Sequence, residues 1–354
     1  MKDRARGCLL GLAAGDALGA PAENLSPPEI RRRWGRLTEI EGGGTDDTEY
    51  AIFAASLLVR HGHGLTAADV AAAYRAEIIP RMTGPMRGAG FSELGTVEAL
   101  RRGLEPPLTG LTHSHGWSDG LAMRAAPYGI FCPGDPAEAA RLVEQDGLVS
   151  GSGEGILGGR AVAGAVAAAM GGATPAEVVR AALSVIPADS WTARNIVRAR
   201  ETLGTGRAAR PDEPALTEAL AEALTEAPAE EPAEEPTEEP AATPTDALIE
   251  ALHEAVVVKH YPWTDLAPEA VALALAAFLA GDGEVEASVT FGVSLGRDAD
   301  TIGAIAGAVA GARQGERGVP ERWARKIGPV TGKCLPVVAG RHVLDVADEL
   351  AGGR

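Results

Sequence analysis

The chain has 354 residues, enough to bury a large core as one big domain or two small ones. Only 4% of the residues are aromatic, so packing must come from Ala, Leu, Val and Gly, and 45 glycines imply helices whose backbones approach closely. A formal net charge of −17 argues against a duplex nucleic-acid binder, and three scattered cysteines, Cys8, Cys132 and Cys334, argue for a reducing, cytoplasmic setting and against a thiolate metal site.

At the start, Lys2, Arg4 and Arg6 precede an apolar run from Cys8 to Gly15, and Ala20-Pro21-Ala22 imitates a signal-peptidase site. That run is short, flanked closely by Asp3 and Asp16, and diluted by Gly7, Gly11 and Gly15, so a buried first helix is expected instead. Apolar spacing at three and four then predicts helices over 48–60, 67–77, 93–101, 121–128, 136–144, 156–170 and 175–183. After an acidic stretch the same pattern returns over 247–257, 268–279, 285–295, 301–313 and 342–350. No run of strands stands out. The expectation is an all-α single domain built from residues 1–206 and 246–340, with a C-terminal helix and tail at 341–354.

Residues 207–245 differ in kind. Eleven acidic residues face two arginines, and Glu-Glu-Pro recurs at 230, 234 and 238. Proline at that frequency cannot sit in an α-helix and the glutamates repel one another, so an extended, solvated insertion is expected there. Its bland reading is a spacer, its sharper one a docking site for a basic partner. No apolar run is long enough to suggest a membrane span. Gly303, Gly307 and Gly311 give the helix after Thr301 a smooth face against which a neighbouring helix can pack tightly.

Two short motifs carry the chemistry. Gly44-Thr45-Asp46-Asp47-Thr48 and Arg297-Asp298-Ala299-Asp300-Thr301 each place an acid pair and a hydroxyl at the start of an apolar helix. Either could be simple capping, and Asp46 with Glu49 makes a passable capping box. Repeated acid pairs are wasteful for capping alone, and oxygen-only donors suit a hard cation such as Mg2+, with Mn2+ or Ca2+ as substitutes. The two motifs therefore predict one shared metal cleft.

Further segments complete a pattern. Gly7-Cys8-Leu9-Leu10-Gly11-Leu12-Ala13-Ala14-Gly15-Asp16-Ala17-Leu18-Gly19 with Pro21-Ala22-Glu23, then Thr45 to Thr48, then Ser118-Asp119-Gly120-Leu121-Ala122-Met123-Arg124, then Asp298 to Thr301, resembles the ADP-ribosylglycohydrolase family across most of the chain outside the acidic stretch. The resemblance implies a compact all-α fold with two Mg2+ ions in a central cleft. It makes Thr45, Asp46, Asp47, Asp298, Asp300 and Thr301 the metal ligands, with ribose hydroxyls at the metals and the anomeric carbon near an activated water. Cleavage of a ribosyl bond passes through an oxocarbenium-like state, for which Glu23, Asp46 and Asp47 are the candidate catalytic carboxylates. Glu23 is equally readable as a plain surface acid. Ser118, Asp119, Gly120 and Arg124 correspond to the family's glycine loop, which contacts diphosphate or ribose; a plain helix cap at Ser118 or Asp119 is the bland alternative.

Three departures from the family pattern bear on substrate. Asp119 stands where Asn is common, a frequent histidine is missing near Val149 to Gly155, and Arg297 replaces a frequent glycine. His113 and His115 could replace that histidine, although loop polar groups of this kind are usually structural. His260 has a weak claim too, and the neighbouring Tyr261 and Trp263 could stack on a base or simply pack in the core. The leading expectation is a Mg2+-dependent hydrolase acting on an ADP-ribosylated protein side chain or small acceptor, as a monomer with no duplex nucleic acid or membrane partner. The alternatives are an N- or O-glycosidase acting on a nucleoside or small ribosyl compound, and a non-catalytic ADP-ribose-binding or structural protein.

Overall fold

The computed structural model describes residues 1–82, 90–208 and 243–352, and among them there is no β-strand, only an isolated bridge between Ser118 and Leu266. The fold is all-α, as expected. The acidic Glu-Glu-Pro repeats lie outside the described residues. No helix among those described is long and apolar enough to cross a membrane.

Four helices that are apolar on nearly every face make the centre: Lys2–Gly19, Glu154–Gly171, Ala267–Ala280 and Ala299–Gln314. A helix without a polar side must be covered all round. Amphipathic helices do this, among them Pro175–Ser184, Pro244–Val256 and Val343–Gly352. The last buries Val343, Val346, Ala347 and Leu350 against the first helix and the Asp46–His61 helix.

The first helix is buried from Gly7 to Gly19 and packs antiparallel along Ala299–Gln314. Glycine makes this possible at four successive turns. A Cβ on Gly11 would lie 2.3 Å from the Gly307 carbonyl oxygen, and one on Gly15 would lie 2.1 Å from that of Gly303. The partner glycines are just as constrained, since a Cβ on Gly311 would meet the Gly7 carbonyl oxygen at 2.0 Å. The smooth face after Thr301 thus meets a second smooth face.

Most predicted helices form with ends shifted by a residue or two. Residues 121–128 do not form one helix: a short 3-10 turn, Asp119–Leu121, is followed after a break by Ala126–Phe131, with Pro127 in its first turn. Proline is suited to that position and unsuited to a helix interior. The helix from Ala67 ends at Ala73 and widens into a π turn over Tyr74–Ile78. Two longer helices among the described residues were not expected, Pro27–Trp34 and Trp191–Ala208, nor were the single turns Leu108–Leu111 and Glu321–Ala324. The Trp191–Ala208 helix is fixed from a distance, because Glu154 accepts hydrogen bonds from the backbone amides of Trp191 and Thr192 at 2.8 and 2.9 Å. All three cysteines are buried thiols, and burial pushes the thiol of Cys334 up to about 12.

Candidate functional site

The glycine contact sets where the acids go. At its end Gly19 lies against the first turn of Ala299–Gln314, so close that a Cβ there would be 2.4 Å from the Cα of Asp300. Glu23, four residues on, is thereby brought beside the second acidic motif. Oxygens of Glu23, Asp298 and Asp300 all lie within 4.8 Å of one another. Asp298 and Asp300 are buried, whereas Glu23 is exposed at the rim.

The other motif is anchored by Asp16, in the last turn of the first helix. Its buried carboxylate accepts from the backbone amides of Thr45 at 2.7 Å and Thr48 at 3.1 Å, and from the Thr48 hydroxyl. This holds the start of the Asp46–His61 helix against the central pair, and the Thr301 hydroxyl donates to Asp47 Oδ1 across 3.2 Å. The two motifs, 254 positions apart at this contact, share one cleft. Thr45 is the cap of its helix, accepting from the Asp47 amide at 3.4 Å. The alternative of an Asp46–Glu49 capping box does not form. Glu49 turns away and accepts from the amides of Lys333, Cys334 and Leu335 at 3.0, 2.9 and 2.5 Å, pinning the C-terminal segment to the helix.

Charge is concentrated in this cleft without a matching cation among the described side chains. Burial, reinforced by the neighbouring carboxylates, holds Asp46, Asp47, Asp119 and Asp298 well above the usual carboxylate range, and burial takes Asp300 up to about 7. Two ionised buried groups such as Asp298 and Asp300 at this range repel by on the order of 3 kcal/mol at an effective dielectric of about 20. Asp47 Oδ2, Asp119 Oδ2 and Asp300 Oδ1 are buried with no hydrogen-bond donor among the described residues. Oxygen donors left unpartnered in a dense acidic group fit a hard divalent cation.

Sequence reasoning did not pick out Asp16, Glu93 or Asp265 as parts of this environment. Asp16 had a readable signal, as the single charge in the run from Gly7 to Gly19. Glu93 and Asp265 had none, because only the fold brings them near Asp46 and Asp119, where they help to raise those carboxyls.

Of the glycine-loop residues, Ser118 caps the Asp119–Leu121 turn, its Oγ accepting from the Gly120 amide at 3.4 Å. The Asp119 amide donates to the Asp265 carbonyl at 2.9 Å, and its side chain comes within hydrogen-bonding reach of Asp298. A Cβ on Gly120 would sit 2.6 Å from both Glu93 Oε1 and Ser92 Oγ, so those buried side chains would have to shift. Arg124 is 1% exposed, and its guanidinium donates to Asp146, Glu93, Ser150 and the Gly120 carbonyl. It is a support behind the cleft wall, and every nitrogen is already engaged, so it does not present a donor to the cleft.

Beside the acids runs a groove of about 190 Å3 whose lining includes His115, Trp117, Ser118, Trp191, Tyr261 and Asp265. Trp117 and Trp263 are 48% and 43% exposed, so Trp263 is no core residue. It meets Tyr261 with ring centroids 5.5 Å apart and His115 at 5.6 Å. His113 is turned inward, Nε2 donating to the Ser150 carbonyl at 2.9 Å, and burial lowers its pKa. His260 is exposed on a left-handed backbone with φ 63°.

Comparison with known proteins adds a family. The sequence model of the ADP-ribosylglycohydrolase family matches residues 1–354. A protein of Archaeoglobus fulgidus with no assigned function is 32% identical over 182 residues, 48% of this chain and 56% of that protein. The ADP-ribosyl-[dinitrogen reductase] glycohydrolase of Rhodospirillum rubrum is 32% identical over 146 residues, 38% of this chain and 47% of that enzyme. The matches thus span about half the length of each relative. A solved structure described as an ADP-ribosylglycohydrolase-related protein complex shares the fold, with TM-score 0.61 and 24% identity over 99% of this chain and 97% of that one.

Proposed function

Because the chain belongs to the ADP-ribosylglycohydrolase family, we propose that it is a Mg2+-dependent glycosidase that hydrolyses the bond between ribose and an ADP-ribosylated protein side chain or small acceptor. The observation that carries this reading is the convergence of Glu23, Asp47, Asp298, Asp300 and Thr301 from three distant segments into one cleft. Thr45, Asp46, Asp47, Asp298, Asp300 and Thr301 would hold two divalent ions, Mg2+ or in substitution Mn2+. Such ions, when bound, supply positive charge to ribose hydroxyls and acidify water.

The chain's own groups do the rest. Asp16 fixes Thr45 and Thr48 through three hydrogen bonds and so orients the first acid pair. Glu23, exposed at the rim, is free to take a proton from water attacking the anomeric carbon, and Asn24 Nδ2 orients its carboxylate by donating to Oε1 at 3.0 Å. The backbone around Ser118 to Gly120 borders the groove next to the acids, where amides can face a diphosphate or ribose. The monomer is expected to act in the cytoplasm, where its three thiols stay reduced.

Release of free ADP-ribose from an ADP-ribosylated protein, abolished by chelator and restored by Mg2+, tests the reading. A second reading has a specific observation in its favour. Among the described residues the groove lining contains Asp265 and no Lys or Arg, and Asp119 is acidic, which suits a less anionic substrate such as a nucleoside. Parallel assays with an ADP-ribosyl substrate and a nucleoside separate the two.

A further inference from the structure

We propose that Arg297 is a specificity-determining positioning residue, which holds the aromatic wall of the groove in register with the acidic cluster. This rests on the ribosyl-hydrolase reading. Where the Glu23 loop meets the Asp298 turn, Asn24 with φ 64° and Arg297 with φ 59° both adopt left-handed backbone. Strain of this kind persists only where the surroundings over-determine it. Here they are tied to each other: the Asn24 amide donates to the Arg297 carbonyl at 2.7 Å, and the Arg297 amide donates to the Leu25 carbonyl at 3.0 Å.

The Arg297 side chain then reaches, from behind, the loop that carries the groove residue Tyr261. Its Nε donates to Glu269 at 3.0 Å, and its Nη2 donates to the Trp263 carbonyl at 2.9 Å, with a longer contact of 3.4 Å from Nη1 to the Tyr261 carbonyl. Glu269 is 1% exposed and also accepts from the Val258 amide at 3.0 Å, so both ends of the 258–263 loop hang on one ion pair. A second tie runs from the Thr264 hydroxyl to Asn24 Oδ1 at 2.6 Å. The turn that carries Asp298, the loop that carries Glu23 and the loop that carries Tyr261 and Trp263 are therefore one linked unit. A glycine at 297 would ease the turn and sever the link. Lysine would keep the charge but not the fork that reaches three partners. A substrate ring resting on Tyr261 or Trp263 is thus held at a fixed offset from the acids, and loss of Arg297 should weaken binding of ring-bearing substrates more than it slows the chemistry.

The test compares wild type, Arg297→Gly, Arg297→Lys and the double variant Arg297→Gly/Glu269→Gln, which leaves no unpaired buried carboxylate if the single variant folds poorly. With an ADP-ribosylated protein as substrate, Arg297→Gly should raise KM about tenfold with kcat changed less than about twofold, and Arg297→Lys should fall between. Acrylamide quenching, assigned to Trp263 by Trp263→Phe in this five-tryptophan chain, should increase in the glycine variants. Unchanged KM and unchanged quenching would overturn the proposal. So would equal loss in kcat/KM and kcat accompanied by a fall in Tm, the pattern of a merely structural residue. If the wild type neither releases nor binds ADP-ribose, the proposed function fails, and the Trp263 quenching alone decides the positioning role.

Discussion

The two ends of the central helix pair present opposite problems to the fold. At Gly7, Gly11 and Gly15 the helices touch backbone to backbone, against the backbone of Gly311, Gly307 and Gly303. Immediately beyond Gly15, Asp16, Asp298 and Asp300 are buried near one another, where desolvation and mutual repulsion both act against folding. The neutral end is where shape has no slack, and the acidic end is where charge has no partner. A rigid seam is what lets a repulsive group of carboxylates be held at ligand distances rather than splaying apart.

The largest expected effect breaks the seam. Gly15→Ala would gain about 1 kcal/mol of helix propensity in an isolated helix. In the fold its Cβ meets the Gly303 carbonyl oxygen at 2.1 Å, a backbone atom that cannot swing aside. Overpacking should win, with a net loss of about 3 kcal/mol in urea unfolding. Gly204→Ala is the matched control, because Gly204 sits in the Trp191–Ala208 helix with nothing within 4 Å of its would-be Cβ. It should stabilise by roughly 0.5–1 kcal/mol. Two changes of the same sign would show that the seam is not close-packed.

Next in size is the charge at the acidic end. Asp300→Asn removes one negative group from a cleft that has no matching cation among its described side chains. Chelator-treated protein should therefore gain on the order of 2–4 °C in Tm, while the rise on adding Mg2+ and the release of ADP-ribose should both be lost. A variant that still responds to Mg2+ and turns over normally would exclude Asp300 as a ligand.

A smaller, graded effect comes from pH. The Asp300 carboxyl is raised from its ordinary value of 3.8 to about 7 in the fold. Between those values the folded state holds a proton that the unfolded chain has released, so without cation its contribution is fully present below 3.8 and is lost as pH rises through about 7. The Tm of chelator-treated protein should fall from pH 5 to pH 8. Stabilisation by Mg2+ should grow over the same range, because cation and proton compete for the same oxygens. A flat profile in both conditions would mean that the carboxylates are not coupled as their burial implies.

How much of this was legible in the sequence follows the same division. The acid pairs at 45–48 and 298–301 were readable because they are local: carboxylates and hydroxyls within one helical turn. The glycine spacing at 303, 307 and 311 was readable as a smooth face, but its partner at Gly7, Gly11 and Gly15 is a tertiary fact. Arg124 looked like a substrate group from its place in a motif, and only the fold shows its guanidinium fully occupied by Asp146, Glu93, Ser150 and the Gly120 carbonyl. Trp191–Ala208 escaped because its buried stripe, Ala193, Ile196 and Ala199, is narrow, and because its cap, Glu154, lies 37 residues earlier. Information that a residue carries by itself survives reading. Information that resides in which two segments meet does not.

The smallest change in stability should come from the rim. Glu23 shares the 4.8 Å group with Asp298 and Asp300, yet it is exposed while they are buried. Water already solvates its charge, so neutralising it relieves little repulsion, and Glu23→Gln should shift Tm by less than about 2 °C. The amide keeps the shape and the hydrogen bond to Asn24 through its oxygen, but it cannot accept a proton from water. Turnover should accordingly fall about 100-fold or more in kcat while Mg2+ binding, measured by calorimetry, changes little. That result would separate the rim carboxylate, which acts on the proton, from the floor carboxylates, which hold charge. If Glu23→Gln instead abolishes Mg2+ binding and leaves residual turnover restored by excess cation, the rim acid belongs with the floor as a ligand, and the proton falls to Asp46 or Asp47.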